Sequence, residues 1–292
     1  IGDSAAMTNQ SDDAVAIGNV AGFSTQGIAA VAIGHNAGRQ TQGSYAVALG
    51  LEAAYQDQGT KAVAIGYQAG IETQSEDAIA IGTEAGRNGQ RPQSIAIGKE
   101  SGIGNTFNTV FVSNNDDGGG NFTLVVASTV NLLPGMYVSG TGYISKQEIL
   151  TVDDATTLTM SAHSDSTPSG MLNFFGAQGQ KSVAIGYQTG KTNQGANSVA
   201  IGNQAGEVNQ STSAVAIGEG AGKTTQSDKA VAIGYRAGQT TQSDDSIAIG
   251  WDSGLTNQGE RAIAMGRLSG ETNQGAYAVA IGNQAGEDNQ GE

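Results

Sequence analysis

The chain has 292 residues with 45 Gly, 3 Pro, no Cys and aromatic residues at only 5%, and its 38% hydrophobic fraction draws heavily on Ala. So few large side chains exclude a compact two-layer core, and the missing Cys excludes disulfides, thiolate metal sites and thiol chemistry. The formal net charge of −14 speaks against a nucleic-acid or anionic-membrane partner, each of which needs a basic face, and no stretch is apolar and long enough to span a bilayer.

The chain opens on "IGDSAAMTNQ" and closes on "AIGNQAGEDNQGE", so it begins inside a repeat and stops inside one. It reads as a piece of a longer chain. The Gly of each "AIG" serves as a ruler, falling at Gly2, Gly18, Gly34, Gly50, Gly66, Gly82 and Gly98, then at Gly186, Gly202, Gly218, Gly234, Gly250, Gly266 and Gly282. Each step within a block is sixteen residues without slip, following [AS]-[VI]-A-[IL]-G-x-x-A-G-x-x-x-Q-[GS]-x-x with Met265 as a variant. A fixed period without insertions predicts one turn of a stacked structure per copy. The expected fold is all-β: a parallel β-solenoid of 16-residue coils over residues 1–105 and 178–292, with a small inserted β domain at 106–177.

Within a coil, "AVAI" alternates small and large residues and predicts a short strand. In "SVAIG", Val199 and Ile201 are expected on the inner face, with Ser198 and Ala200 on the other. Two Gly per coil permit bends that a Cβ would hinder. Stacking at strand spacing, about 4.8 Å, lines up equivalent residues and gives a rod of roughly 65 Å. Gln recurs in all fourteen copies, and Gln194, Gln210, Gln226, Gln242, Gln258 and Gln274 are expected to form a structural ladder of axially bonded amides. A solenoid this thin is marginal alone. An Ala-rich wall on each coil predicts lateral association with further copies.

The insert differs in chemistry. It holds Phe107, Phe111, Phe122, Phe174 and Phe175, five of the six Phe. "TVFVS", "NFTLVVAS", "MYVSG", "EILTV" and "TLTMS" read as strands, with "NNDDGGGN" and "DDAT" as turns. It is expected to be a small all-β domain with its own core.

Catalytic, cofactor and metal residues are not found. His35 and His163 are far apart in sequence. Asp116 and Asp117 lack the ligand spacing of a calcium loop, and no nucleophile–base constellation is present. Charges in the column Lys191, Glu207, Lys223 alternate and support register. The column Tyr235, Trp251, Arg267 can contact a glycan or receptor, or form a self-contained aromatic–cation stack. A partial Thr column, Thr192, Thr224, Thr240, Thr256 and Thr272, is broken by Val208, which disfavours an ice-binding surface.

"NSVAIG" at residues 197–202, followed by a small residue and Gly, resembles the head repeats of trimeric autotransporter adhesins (YadA-like), and is similar to "AIGYQA"-type repeats of phage and large-virus fibres. The resemblance covers both blocks. It implies a left-handed β-roll, a homotrimer and an external location. The period of sixteen exceeds the fourteen or so of adhesin heads, and the constant Gln with the "TNQ" runs leans toward the viral fibres. The expected function is a structural fibre or spike protein of a virion, on the virion surface or extracellular. It is a rigid spacer whose lateral β domain meets a host receptor, a glycan or other virion proteins, without enzymatic activity. The alternative is a bacterial adhesin head binding host surfaces or glycans.

Overall fold

The computed structural model describes residues 1–104 and 178–291 in full, and between them the backbone of six strands. The chain divides into two compact units, 1–104 with 178–292, and 105–177.

The first unit is a parallel β-solenoid. Thirteen strands, from Val15–Ile17 to Val279–Ile281, form one sheet in which each residue pairs with the one a coil later: Val199 with Val215, Ala200 with Ala216, Ile201 with Ile217. The register holds across the insertion, where Ile95, Ala96 and Ile97 pair with Val183, Ala184 and Ile185. On the other side of the coil, strands from Thr192–Gln194 to Thr272–Gln274 make a six-stranded sheet.

The bends are what the glycines make available. Gly206 sits in the left-handed region at φ 52°, where a Cβ would lie 2.9 Å from the Gln210 amide. The ruler Gly202 has φ 135°, and a Cβ there would lie 2.6 Å from the carbonyl oxygen of Gly218. Left-handed residues that are not Gly, such as Asn197 and Gln204, recur at fixed coil positions and each costs on the order of 1 kcal/mol. Their geometry sends the amide backward: Asn197 N–H donates to Gln180 O at 3.0 Å and Gln204 N–H to Tyr187 O at 2.9 Å. Strand residues donate forward instead, as Val199 does to Ala214 O at 2.9 Å. Each coil is therefore bonded in both directions.

The strand faces are the reverse of the sequence expectation. Ala200 is fully buried, while Val199 and Ile201 are only partly buried, and the same pattern recurs along the sheet. The core consists of Ala columns, including Ala200, Ala216, Ala232 and Ala248 from the strands and Ala205, Ala221 and Ala237 from the turns. Val183 and Ile185, expected inside, lie on the outer face, with Ile185 36% exposed. The Ala-rich wall expected to receive another chain is thus the interior. The cause is room. The coil also encloses a Gln side chain, and the remaining cross-section accepts methyl groups but not branched side chains. Where Ser replaces Ala inside, a turn carbonyl satisfies it: Ser198 Oγ donates to Gly195 O at 2.7 Å and Ser182 Oγ to Gly179 O at 2.6 Å.

The second unit is a closed antiparallel barrel of six strands: Thr106–Asp116, Phe122–Val126, Tyr137–Thr141, Tyr143–Val152, Thr157–Met160 and Ser169–Phe175. The first and last strands pair, with Thr106 opposite Phe175. Asn114, Asn115 and Asp116 continue a strand rather than forming the expected turn, and Ser169–Phe175 is a strand the sequence reading omits. Asp117 and the "DDAT" turn lie outside the described residues.

Candidate functional site

The surface that stands out is the outer face of the thirteen-stranded sheet. Val and Ile alternate with the buried Ala, so two apolar columns run along the stack. Most of their members are partly buried, and exposure rises at the last strand, where Val279 is 54% and Ile281 66% exposed. At roughly a quarter to a third exposure, thirteen pairs present on the order of 1,000 Å² of apolar surface, above the roughly 800 Å² per partner of a standard interface. Monomers rarely leave so large a patch open. No sequence reading placed the site here, because the expected face was the opposite one.

Two columns flank this face. Before each strand stand residues such as Lys61, Asp77, Lys229, Asp245, Arg261 and Tyr277, all in left-handed conformation. They are tied along the stack by Lys229–Asp245 at 3.9 Å, Arg261–Asp245 at 3.8 Å, and the Arg261 guanidinium over the Tyr277 ring at 5.6 Å. Hydrogen bonding to the Tyr277 hydroxyl raises the Arg261 pKa. After each strand stands the column with Tyr67, Tyr187, Tyr235, Trp251 and Arg267. Tyr235 and Trp251 stack with centroids 6.3 Å apart, and the Arg267 guanidinium lies 4.4 Å over the Trp251 ring. The structure thus brings the three candidate glycan-contact residues into one stack, in which Arg267 occupies a face of the indole that a sugar ring would use.

The Gln column is interior. Gln194, Gln210, Gln226, Gln242, Gln258 and Gln274 are all nearly fully buried. Each Nε2 donates to the next Oε1, at 3.3 Å from Gln194 and 3.1 Å from Gln210, Gln226 and Gln242. Each also donates to a strand carbonyl, as Gln226 does to Val215 O at 2.8 Å. The amide chain crosses the insertion through Gln90 to Gln178 at 3.2 Å and Gln178 to Gln194 at 3.0 Å.

Ionic contacts stitch the coils on either side of the insertion. Glu100 accepts from Gln188 at 3.0 Å and pairs with Lys191 at 3.2 Å. The Gln188 hydrogen bond, with help from Lys191, holds its carboxyl below the usual carboxylate range, although partial burial opposes them. Lys223 pairs with Glu207 at 3.6 Å. Arg236 clasps the buried Asp252 through Nε and Nη2, a two-point hydrogen bond that raises the arginine's pKa. Glu271 is pushed up, first by burial and then by Glu287.

Among the described residues, no three His, Asp or Glu side chains are grouped to hold a metal ion, and no helix is long and apolar enough to cross a membrane. His35 is exposed, and His163 lies outside the described residues. In the Thr column, Thr224, Thr240, Thr256 and Thr272 are in register, with Val208 beside Thr224.

Against this geometry, the family model described as the YadA head domain repeat matches in two copies at residues 194–205. Residues 194–205 carry a YadA-like head repeat. The matched segment begins at the buried Gln194, passes through the Val199–Ile201 strand and ends at the buried turn residue Ala205. The matched unit is therefore one strand with the turns that flank it, and the strand register of that unit continues through the described coils. No curated protein and no solved structure matches the chain.

Proposed function

We propose that the chain is a segment of a trimeric, adhesin-like surface fibre, in which the YadA-like coils are a stiff spacer and the inserted barrel is an attachment module. The observation that carries this reading is the outward Val–Ile face: a regular solenoid leaves on the order of 1,000 Å² of apolar wall, and that wall is the same on every copy. Three such walls around one axis remove it from water. A fibre of this kind acts by geometry and multivalency, since three weak contacts on one support gain avidity over each alone. It performs no reaction. We place it on a virion, in contact with a host receptor or glycan through the barrel.

Sedimentation equilibrium tests the assembly. A mass three times the 29.4 kDa chain is expected, and a single-chain mass at micromolar concentration overturns it. Binding of the full chain to host cells, lost when residues 106–177 are removed while the mass stays threefold, tests the barrel's role. A second reading, a bacterial adhesin head, is favoured by the YadA match itself. The complete reading frame separates the two: a secretion signal and a membrane anchor fit the bacterial case, and neighbouring capsid or tail genes fit the virion.

A further inference from the structure

Lys occurs three times in the column before the strand, at Lys61, Lys181 and Lys229, and Tyr three times in the column after it, at Tyr67, Tyr187 and Tyr235. The two sets coincide without exception: "KAVAIGY", "KSVAIGY" and "KAVAIGY". All six side chains are exposed, with the tyrosines at 44%, 45% and 41%.

Nothing within one chain selects this pairing. The strand and its flanks separate Lys from Tyr by roughly 15–20 Å at extended spacing, far beyond the reach of a lysine side chain. For three of the six, the contacts within the chain run along the stack or to a neighbour in sequence instead. Lys229 faces Asp245 at 3.9 Å, Tyr187 lies under Lys99 at 5.9 Å, and Tyr235 lies under Arg236 at 5.0 Å.

A ring of copies does select it. When three chains turn their Val–Ile faces to a common axis, the strands of one layer follow one another head to tail. The end of one chain's strand then meets the start of the next chain's strand. A pure rotation keeps equivalent residues at equal height, so the residue before a strand meets the residue after the same strand in the neighbour. We propose that Lys61, Lys181 and Lys229 each pack their ammonium groups on Tyr67, Tyr187 and Tyr235 of an adjacent copy. They form three layers of intermolecular cation–π contacts that fix the axial register of the assembly. The proposal rests on the trimer reading above and adds the interface residues and their alignment.

Of the other rim pairs of this register, Asp77 meets Thr83 and Ser213 meets Glu219, both able to hydrogen-bond, and Asp245 meets Trp251. Arg261 meets Arg267, but the former is held by Tyr277 at 3.0 Å and the latter lies over Trp251 in its own chain. A one-coil slip in one direction sets Lys181 beside Lys99, but also Lys229 beside Glu219 and Arg261 beside Trp251. A slip in the other sets Asp77 beside Lys99, Asp245 beside Arg267 and Lys229 beside Trp251, so both slips are competitors the experiment must separate.

The absence of native Cys makes the test direct. Three double variants are oxidised under native conditions and run on non-reducing gels: K61C/Y67C for the proposed register, K61C/L51C and K61C/T83C for the slips of one coil. The K61C/Y67C chain is expected to close into a covalent species of three chains, with at least tenfold higher yield than the other two. Each single-Cys variant should stay uncrosslinked. K229C/Y235C repeats the test in the second block should the first variant fail to fold. A dominant product from L51C or T83C, or no product from either proposed pair while the unmodified chain sediments as a trimer, overturns the register. A single-chain mass for the unmodified protein overturns the trimer reading itself, which keeps the two failures distinct.

Discussion

The interior of the coil and its outer wall are built from the same three-residue strand, yet they obey opposite rules. Inside, every described strand position is Ala, joined by a Gln column whose amides bond along the stack. Outside, the position before that Ala is Val or Ile, and the position after it is Ile, Leu or Met. The small residues are the core and the large ones are the surface, the inverse of the usual distribution. A coil of sixteen residues has too little cross-section to hold branched side chains and a glutamine together. In the proposed assembly, the apolar burial that one coil cannot supply is completed against neighbouring copies.

The steepest way to break the interior is at the ruler glycine. Gly202→Ala meets the Gly218 carbonyl oxygen at 2.6 Å with φ at 135°. We expect a loss of about 3 kcal/mol or more, from strain and overlap together, read as a lower melting temperature with local loss of amide protection around residues 200–220. Next is Gln226→Leu. It removes the bonds to Val215 O, Gln242 and Gln210 and leaves buried amide groups unpaired on both sides, at a cost of about 3 kcal/mol. An unchanged denaturation midpoint would show that the ladder is incidental.

The period and the bends were legible because their signals are local: ruler glycines sixteen apart, and a second glycine four residues on. The orientation of the strand was not. Alternation gives two faces but does not say which is inside, and the habit of burying the larger residue pointed the wrong way. A usable signal was present in the spread of residues among the coils. The position of Ala200 is always Ala, and that of Ser198 only Ala or Ser. Such restriction marks limited space, whereas the outer column tolerates Leu49 and Met265. The Gln column was legible as a bonded ladder, though its interior position follows only from the structure. The aromatic column was legible as an alternative between ligand contact and self-stacking, and coordinates were needed to place Arg267 on Trp251.

The smallest expected effects are electrostatic. Glu100 has a lowered pKa through Gln188 and Lys191, so it stabilises the folded chain above the ordinary carboxylate range. That contribution fades as pH falls through its folded value, and Glu100→Gln should flatten this part of the acid limb of melting temperature against pH. Glu271, raised by burial and by Glu287, has the opposite sign: its ionised form is disfavoured when folded. Glu271→Gln should therefore raise the melting temperature slightly at neutral pH and have no effect below pH 4. Both are partly exposed groups, and shifts of a few degrees at most are expected.

The inside–outside assignment is tested most directly by one matched pair of melting curves. Ala232 and Val231 are adjacent in the same strand, the first fully buried and the second on the outer wall. Ala232→Leu is expected to lower the melting temperature strongly, by overpacking that costs about 3 kcal/mol or more, whereas Val231→Leu should leave it within about 1 kcal/mol of the parent. A tolerated Ala232→Leu beside a disruptive Val231→Leu would contradict the account.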